Sequence, residues 1–332
     1  MKKRDTPLIS VVLPTYNVAQ YLQQCLESVA AQTYRNIEVI IIIDGATDGS
    51  YEIAQEFCKT DSRFSVYWQE NAGSGPARNN GLAHCQGESV MFVDPDDWIE
   101  PELLEKLYEA QQEGDYDLVA STRIKAKCNN KGEVKRITRK HFKDEVIDGQ
   151  EAVRNAYMRM LRTAAVSSPT QKLYKMAIVR ENHVEFPPLK RSQDIVFNYR
   201  YYNHIRSLRL ISYSGYYYRA MPTNTAGKSH ADYYKTILFL YNDLKALYKS
   251  WNMPFPEKEM CNWFFRVRVY SNLQKAVAQK WDMTCLVEEP TIRHIVKMAA
   301  PAIFYLRITR RLVLSRSYKL LEMFLKLILL IK

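Results

Sequence analysis

Four short runs of aliphatic and β-branched residues constrain this chain more than anything else in it: Leu8–Leu13, Ile37–Ile43, Phe64–Trp68 and Ser89–Val93. Each is followed by a polar loop and then by a segment whose apolar residues recur at helical spacing. The alternation predicts β-α-β units, with helices near Ala19–Ala31, Tyr51–Lys59, Ala77–Cys85 and Pro101–Gln112. The first two runs are apolar on successive residues, as strands are when helices cover both faces of a mostly parallel sheet. The expected fold class is therefore α/β, Rossmann-like, with helices on both faces. In such a sheet the carboxyl ends of the strands share one edge, and ligands bind there. Four loops converge on that edge: Pro14-Thr15-Tyr16-Asn17, Asp44-Gly45-Ala46-Thr47-Asp48, residues 70–75, and Asp94-Pro95-Asp96-Asp97.

Beyond Gly114 the pattern becomes mixed. Asp117–Ser121 reads as a strand, Val134–Thr138 as part of a hairpin, and Gln150–Leu161 and Leu173–Glu181 as helices. A basic, Tyr-rich segment runs from Arg191 to Arg219, and from about Ala231 the chain reads as helical to its end. Residues 1–115, 116–228 and 229–332 are the expected divisions.

The acidic loop has two readings. Asp94 and Asp96, spaced i, i+2 after a buried strand, can meet one hard cation, since Mg²⁺ and Mn²⁺ sites use one or two carboxylates with phosphates and water. Alternatively these are helix-start residues, with Asp97 capping a helix that begins at Pro101. Asp48 or Ser50 is the expected cap of the second helix, and Asp44 is either a turn former or an acceptor for the imide N–H of a pyrimidine.

In their order and spacing, VVLPTYN, IIIDGATDGS, NAGSGPARNNG and FVDPDDW resemble family 2 glycosyltransferases of the inverting GT-A fold. The resemblance spans residues 7–110 closely and continues more loosely to about 220. It implies a nucleoside pocket of Pro14, Thr15, Tyr16 and Asn17, with Tyr16 stacking on the base and Asp44 reading its imide. It also implies that Asp94 and Asp96 contact the donor and its Mn²⁺ or Mg²⁺, Asp96 as the direct ligand, and that Arg78 meets the diphosphate; Arg78 could equally be a solvated helix residue. The stretch from Lys172-Leu173-Tyr174 through Phe186-Pro187 to Gln193-Asp194 is similar to the family's second half and puts Asp194 in the position of the catalytic base. On residue chemistry alone Asp194 caps a helix over Ile195–Asn203. Three positions depart from the pattern: Ile43 for aspartate, Ala46 for serine and Gln193 for glutamate.

The +11 net charge favours an anionic partner. The last forty residues carry nine Lys and Arg against Glu322 and are strongly apolar, so they are expected to form amphipathic helices that lie on an anionic membrane surface or pack on the core. No apolar stretch is long enough for a transmembrane helix, and the start lacks a signal peptide's hydrophobic region, so the expected location is the cytoplasmic side of the membrane. The six cysteines are scattered singly, without the pairs of a zinc or redox motif. A nucleotidyltransferase is the alternative enzyme, but no Gly-rich, Lys-bearing phosphate loop follows the first strand; a dehydrogenase lacks its G-x-G-x-x-G. A nucleic-acid-binding module would use the charge and the tyrosines of 199–218, which the resemblance assigns instead to the acceptor half. The expected partners are a UDP-sugar and a saccharide or lipid-linked saccharide, not nucleic acid.

Overall fold

Strands β1 (Ile9–Thr15) and β2 (Ile37–Asp44) are buried along almost their whole length because helices cover both faces. They lie within a ten-stranded sheet in the computed structural model, which describes residues 6–139, 142–161, 167–221 and 233–331. With β3 (Phe64–Gln69) and β4 (Ser89–Phe92) they form a parallel block in the order β3-β2-β1-β4. Helices α1 (Ala19–Ala30), α2 (Ser50–Thr60) and α3 (Ser74–His84) make the crossovers. The first helix turns Leu22, Cys25, Leu26 and Val29 inward, the i, i+3, i+4, i+7 stripe that its sequence carries. Gly81 lets α3 sit directly on β1, because a Cβ there would lie 2.3 Å from Val12 Cγ1.

The sheet continues past β4 through β9, β6 and β10 to β5. The elements in chain order are β5 (Trp98–Ile99), α4 (Leu103–Gln112), β6 (Leu118–Cys128), β7 (Val134–Arg139), β8 (Glu145–Asp148), α5 (Gln150–Met160), β9 (Lys172–Lys175), α6 (Met176–Glu181), α7 (Gln193–Tyr202) and β10 (Ser207–Ala220). The fold is GT-A-like, mostly parallel with antiparallel insertions. The hairpin expected at Val134 is present as β6–β7.

One expectation needs correction. The helix expected over Leu173–Glu181 begins only at Met176; Lys172–Lys175 is a strand, antiparallel between β4 and β6. Leu173 packs into the core that holds Val119 and Met91, while Tyr174 points the other way, onto Phe92 and Phe197. That alternation is a strand's, hidden by the helix that follows directly. The Tyr-rich segment holds the fourteen-residue β10, which pairs with β6 in parallel through an irregularity between Leu210 and Tyr216. Beneath α7, Phe92, Phe186 and Phe197 form an aromatic cluster, with Phe186 and Phe197 stacked at 4.0 Å.

Residues 1–222 form one compact unit and 223–332 a second. Every regular element among its described residues is a helix, as expected; Ala231 and the 228/229 boundary lie outside them. Its helices are α8 (Tyr233–Ser250), α9 (Glu257–Phe264), α10 (Tyr270–Ala278), α11 (Thr284–Glu288), α12 (Pro290–Met298), α13 (Phe304–Leu314) and α14 (Tyr318–Ile331), with a π-helical segment at Phe265–Val269 joining α9 to α10. Pro290 opens α12 and the Glu289 carboxylate accepts the Ile292 N–H at 2.8 Å, a capped start. No helix among the described residues is long and apolar enough to cross a membrane. All six cysteines are free, four of them buried.

Candidate active site

The loops after β1, β2 and β3 are stitched into one wall. Pro14 and Thr15 end β1 and are buried, and Tyr16 beyond them leaves 50% of its surface exposed. Asn17 adopts a left-handed backbone (φ 47°), and its side-chain oxygen accepts the Thr47 N–H at 2.8 Å. Asp48 accepts the Ala19 N–H at 2.9 Å and both the N–H and the hydroxyl of Ser50, so one carboxylate supports the starts of two helices. The cap position of α2 itself belongs to Gly49, at φ 89°, rather than to Asp48 or Ser50, because the turn requires a left-handed residue there.

Asp44 is buried and accepts three hydrogen bonds, from Gln69 Nε2 at 2.8 Å, Ala72 N–H at 2.8 Å and Gly73 N–H at 2.9 Å. It therefore holds the third loop against the second, the turn-forming role. Of a carboxylate's roughly four lone-pair sites, about one is left for another donor. Gly45 follows at φ 67°, where a Cβ would lie 2.8 Å from the Asn71 nitrogen.

The acidic loop is clamped by β10. Asp97 is 1% exposed, and its oxygens accept the Tyr216 hydroxyl at 2.9 Å and the Arg219 N–H at 2.7 Å. It does not cap the next helix, which starts at Leu103 with Glu102 in the cap position. Burial, then Asp96 and Asp94, push its carboxyl well above the usual range. The Tyr216 oxygen also accepts the Asp94 N–H at 3.0 Å. Arg219 donates through Nε to the Asp96 carbonyl at 2.7 Å and lies between the Trp98 and Tyr21 rings, 4.5 and 4.6 Å from their centroids.

Asp94 and Asp96 differ in their surroundings. Asp94 pairs with Arg78 at 2.7 Å. Arg78 is 6% exposed and lies over the Phe186 ring, so the solvated reading fails; its buried Nε has no hydrogen-bond partner among the described residues. Asp96 has no cationic side chain within ion-pair distance of its carboxylate among the described residues. Burial first, and then Asp94, raise its pKa to about 6, against the lowering effect of Arg219 and Arg78. A desolvated carboxylate beside a second one is a donor set that suits a hard divalent cation.

Asp194 is half-buried in the first turn of α7. The cap position belongs to Ser192, at φ 65°, so the capping reading of Asp194 is not what the helix uses. Its neighbour Gln193 donates to Ser74 Oγ at 2.6 Å. Ser74 begins α3, one turn before Arg78, so this bond ties the start of α7 to the start of α3. Lys172, wholly buried on β9, donates to the Ser168 and Thr170 carbonyls. Burial and then Arg123 lower its pKa well below the usual amine range, and Asp194 opposes them.

Sequence reasoning missed Tyr216, Arg219 and Lys172. The signal for the first two was the alternation within Tyr216-Tyr217-Tyr218-Arg219, which sends Tyr216 into the main core and Tyr217 onto Trp98. Lys172 carried no such signal, because a lone lysine reads as solvated. Among the described residues the one group of three potential metal ligands is Glu257, Cys261 and His294, in the second unit.

Residues 10–168 match the model of glycosyl transferase family 2. The chain is similar to EpsH of Bacillus subtilis, 31% identical over 252 residues that make up 75% of this chain and 71% of EpsH. It is also similar to the glycosyltransferase GlyG of Streptococcus pneumoniae, 35% identical over 214 residues, 64% of this chain and 70% of GlyG. Its fold matches that of S. aureus TarS 1–349 in complex with UDP-GlcNAc at a TM-score of 0.65 and 19% identity, covering 96% of this chain and 90% of that one.

Proposed function

The chain belongs to glycosyl transferase family 2, and on that premise we propose that it moves a sugar, with inversion, from a UDP-sugar to the hydroxyl of a saccharide or lipid-linked saccharide in surface-polysaccharide synthesis. The observation that carries the reading is Asp96: a desolvated carboxylate with no cationic side chain in ion-pair distance among the described residues, beside the Arg78–Asp94 pair and on the strand edge where the loops after β1 and β2 meet. Membership of the family favours neither nucleotidyl transfer nor nucleic-acid binding.

Residues 1–115 would hold the donor and 116–228 the acceptor. Tyr16, exposed and rigidly based, offers a stacking face to uracil; Pro14, Thr15 and Asn17 shape the pocket, and the remaining lone pair of Asp44 accepts the imide N–H. Asp94 and Asp96 would hold Mn²⁺ or Mg²⁺. The ion, when bound, neutralises charge on the departing diphosphate, so no protein acid is required. Arg78 supplies a buried guanidinium to the same diphosphate. From the first turn of α7, Asp194 takes the proton of the attacking hydroxyl.

For residues 229–332 we propose attachment to the inner face of an anionic membrane. Phe304, Leu320, Met323, Leu327 and Leu330 are exposed on α13 and α14 among Arg307, Arg311, Lys319 and Lys326. Removing the chain from Pro301 onward should abolish binding to phosphatidylglycerol vesicles; unchanged binding would refute the attachment.

A thermal-shift panel of nucleotide sugars with and without Mn²⁺ tests the donor class, and a chain stabilised by none of them is not this enzyme. Asp194→Asn should abolish transfer while sparing donor binding; near-normal turnover removes Asp194 from the base role. Asp96→Ala should weaken Mn²⁺-dependent donor binding.

A further inference from the structure

Resting on the glycosyltransferase reading, we infer that the β6–β7 hairpin is a docking track for an anionic acceptor, a saccharide or polyol chain that carries phosphodiester or carboxylate groups. Between residues 123 and 143 the sequence has nine Lys and Arg and one acid, Glu133. The strand register sorts these charges. On β6, Ile124, Ala126 and Cys128 are buried, so Arg123, Lys125 and Lys127 share the opposite face. Across the pair Lys127 stands opposite Arg136 and Lys125 opposite Thr138, so the cationic row spans both strands.

Nothing in the described chain neutralises this row. Glu133 pairs with Lys135 at 2.9 Å, and among the described residues Arg123, Lys125, Lys127 and Arg136 have no carboxylate within ion-pair distance. Like charges directly opposite each other on a sheet destabilise it. Lysines on an edge strand commonly protect it from pairing with other sheets, which accounts for β7. It does not account for Lys125 and Lys127, since β6 is paired on both sides, with β7 and with β10. An external anion removes the repulsion.

The hairpin is also fixed beside the acidic loop. Arg219 donates to the Gly132 carbonyl in the hairpin turn at 3.2 Å and to the Asp96 carbonyl at 2.7 Å, so one guanidinium spans the two. Gln20 Nε2 donates to the Lys131 carbonyl at 3.3 Å and anchors the turn to α1. Membrane insertion requires bulky apolar groups among the charges, and the Lys125–Lys127–Arg136 face presents none. Single-stranded nucleic acid requires a succession of stacking rings; Tyr218, with Arg123 4.8 Å above its ring, is the single aromatic in the row.

The test uses the full chain with five probes: an oligogalacturonate, a glycerol-phosphate oligomer, a neutral maltooligosaccharide of equal length, single-stranded DNA and phosphatidylglycerol vesicles. At least one of the first two should bind about tenfold tighter than the neutral oligomer, and the preference should fade as salt rises. Which of the two binds tells carboxylate from phosphodiester. Lys127→Gln/Arg136→Gln should lose the preference without a lower Tm. Equal affinity for neutral and anionic oligomers, or a preference that survives in the double variant, overturns the inference. So does DNA or vesicle binding that is tighter and lost in the same variant. Stabilisation by UDP-sugars, read on both proteins, reports on the donor site alone, so its absence refutes the UDP-sugar reading without touching the oligomer result.

Discussion

Tyr216→Phe removes one hydroxyl and should loosen the whole acidic loop. That oxygen donates to Asp97 at 2.9 Å and accepts the Asp94 N–H at 3.0 Å, and the ring is fully buried. A hydrogen bond to a charged group contributes roughly 1.5–3 kcal/mol and a neutral one about 1 kcal/mol. Asp97 keeps the Arg219 N–H on its other oxygen, so the loss should be about 3 kcal/mol rather than the cost of a bare buried carboxylate. For a unit of this size that corresponds to roughly 6–12 °C in Tm. Differential scanning calorimetry of the variant beside Tyr217→Phe is the assay, because the Tyr217 hydroxyl donates to the half-exposed Glu100 and its loss should cost under about 1 kcal/mol. Mn²⁺-dependent UDP binding should weaken with Tyr216→Phe and stay unchanged with Tyr217→Phe. Equal Tm losses in the two variants, or unweakened UDP binding in Tyr216→Phe, would refute the clamp.

Gly81→Ala should destabilise by about 1–3 kcal/mol despite the better helix propensity, because its Cβ would meet Val12; denaturant unfolding at constant m-value checks this. Arg78→Met, which strips Asp94 of its partner, should weaken UDP-sugar affinity by about tenfold or more, measured by calorimetric titration with Mn²⁺ present; unchanged affinity would free Arg78 of the diphosphate role. With metal chelated, the Asp96 pKa raised from 3.8 to about 6 means that the native state holds this proton over a range where the unfolded chain has released it. Its contribution to stability therefore falls as pH rises from about 4 to about 6, by up to about 3 kcal/mol and less to the extent that water reaches the carboxylate. Asp96→Asn should gain on the native protein at pH 7 and not at pH 4, and a pH-independent difference would contradict the shift.

The parallel half of the molecule was readable residue by residue. Runs such as Val39–Ile43 fit only a strand covered on both faces, and helical stripes such as Leu22, Cys25, Leu26 and Val29 fit only a helix lying on it. The second half resisted because its signals are short or overlapping. Lys172–Lys175 is four residues abutting a helix, and β10 is long, irregular and rich in a residue that suits strand, helix face and binding surface alike.

Local pattern alone determined the parallel strands, the crossovers and which loops share an edge, since side-chain periodicity and strand direction are properties of contiguous residues. Tertiary structure decided the division of labour among the three acids of the loop. Asp94, Asp96 and Asp97 are chemically alike, and they differ because Arg78 pairs with the first, no cationic side chain among the described residues lies within ion-pair distance of the second, and Tyr216 and Arg219, more than a hundred residues away, hold the third. Partners that distant arrive only when the sheet has closed around them, and they make one carboxylate a structural tie while leaving its neighbour available for a cation.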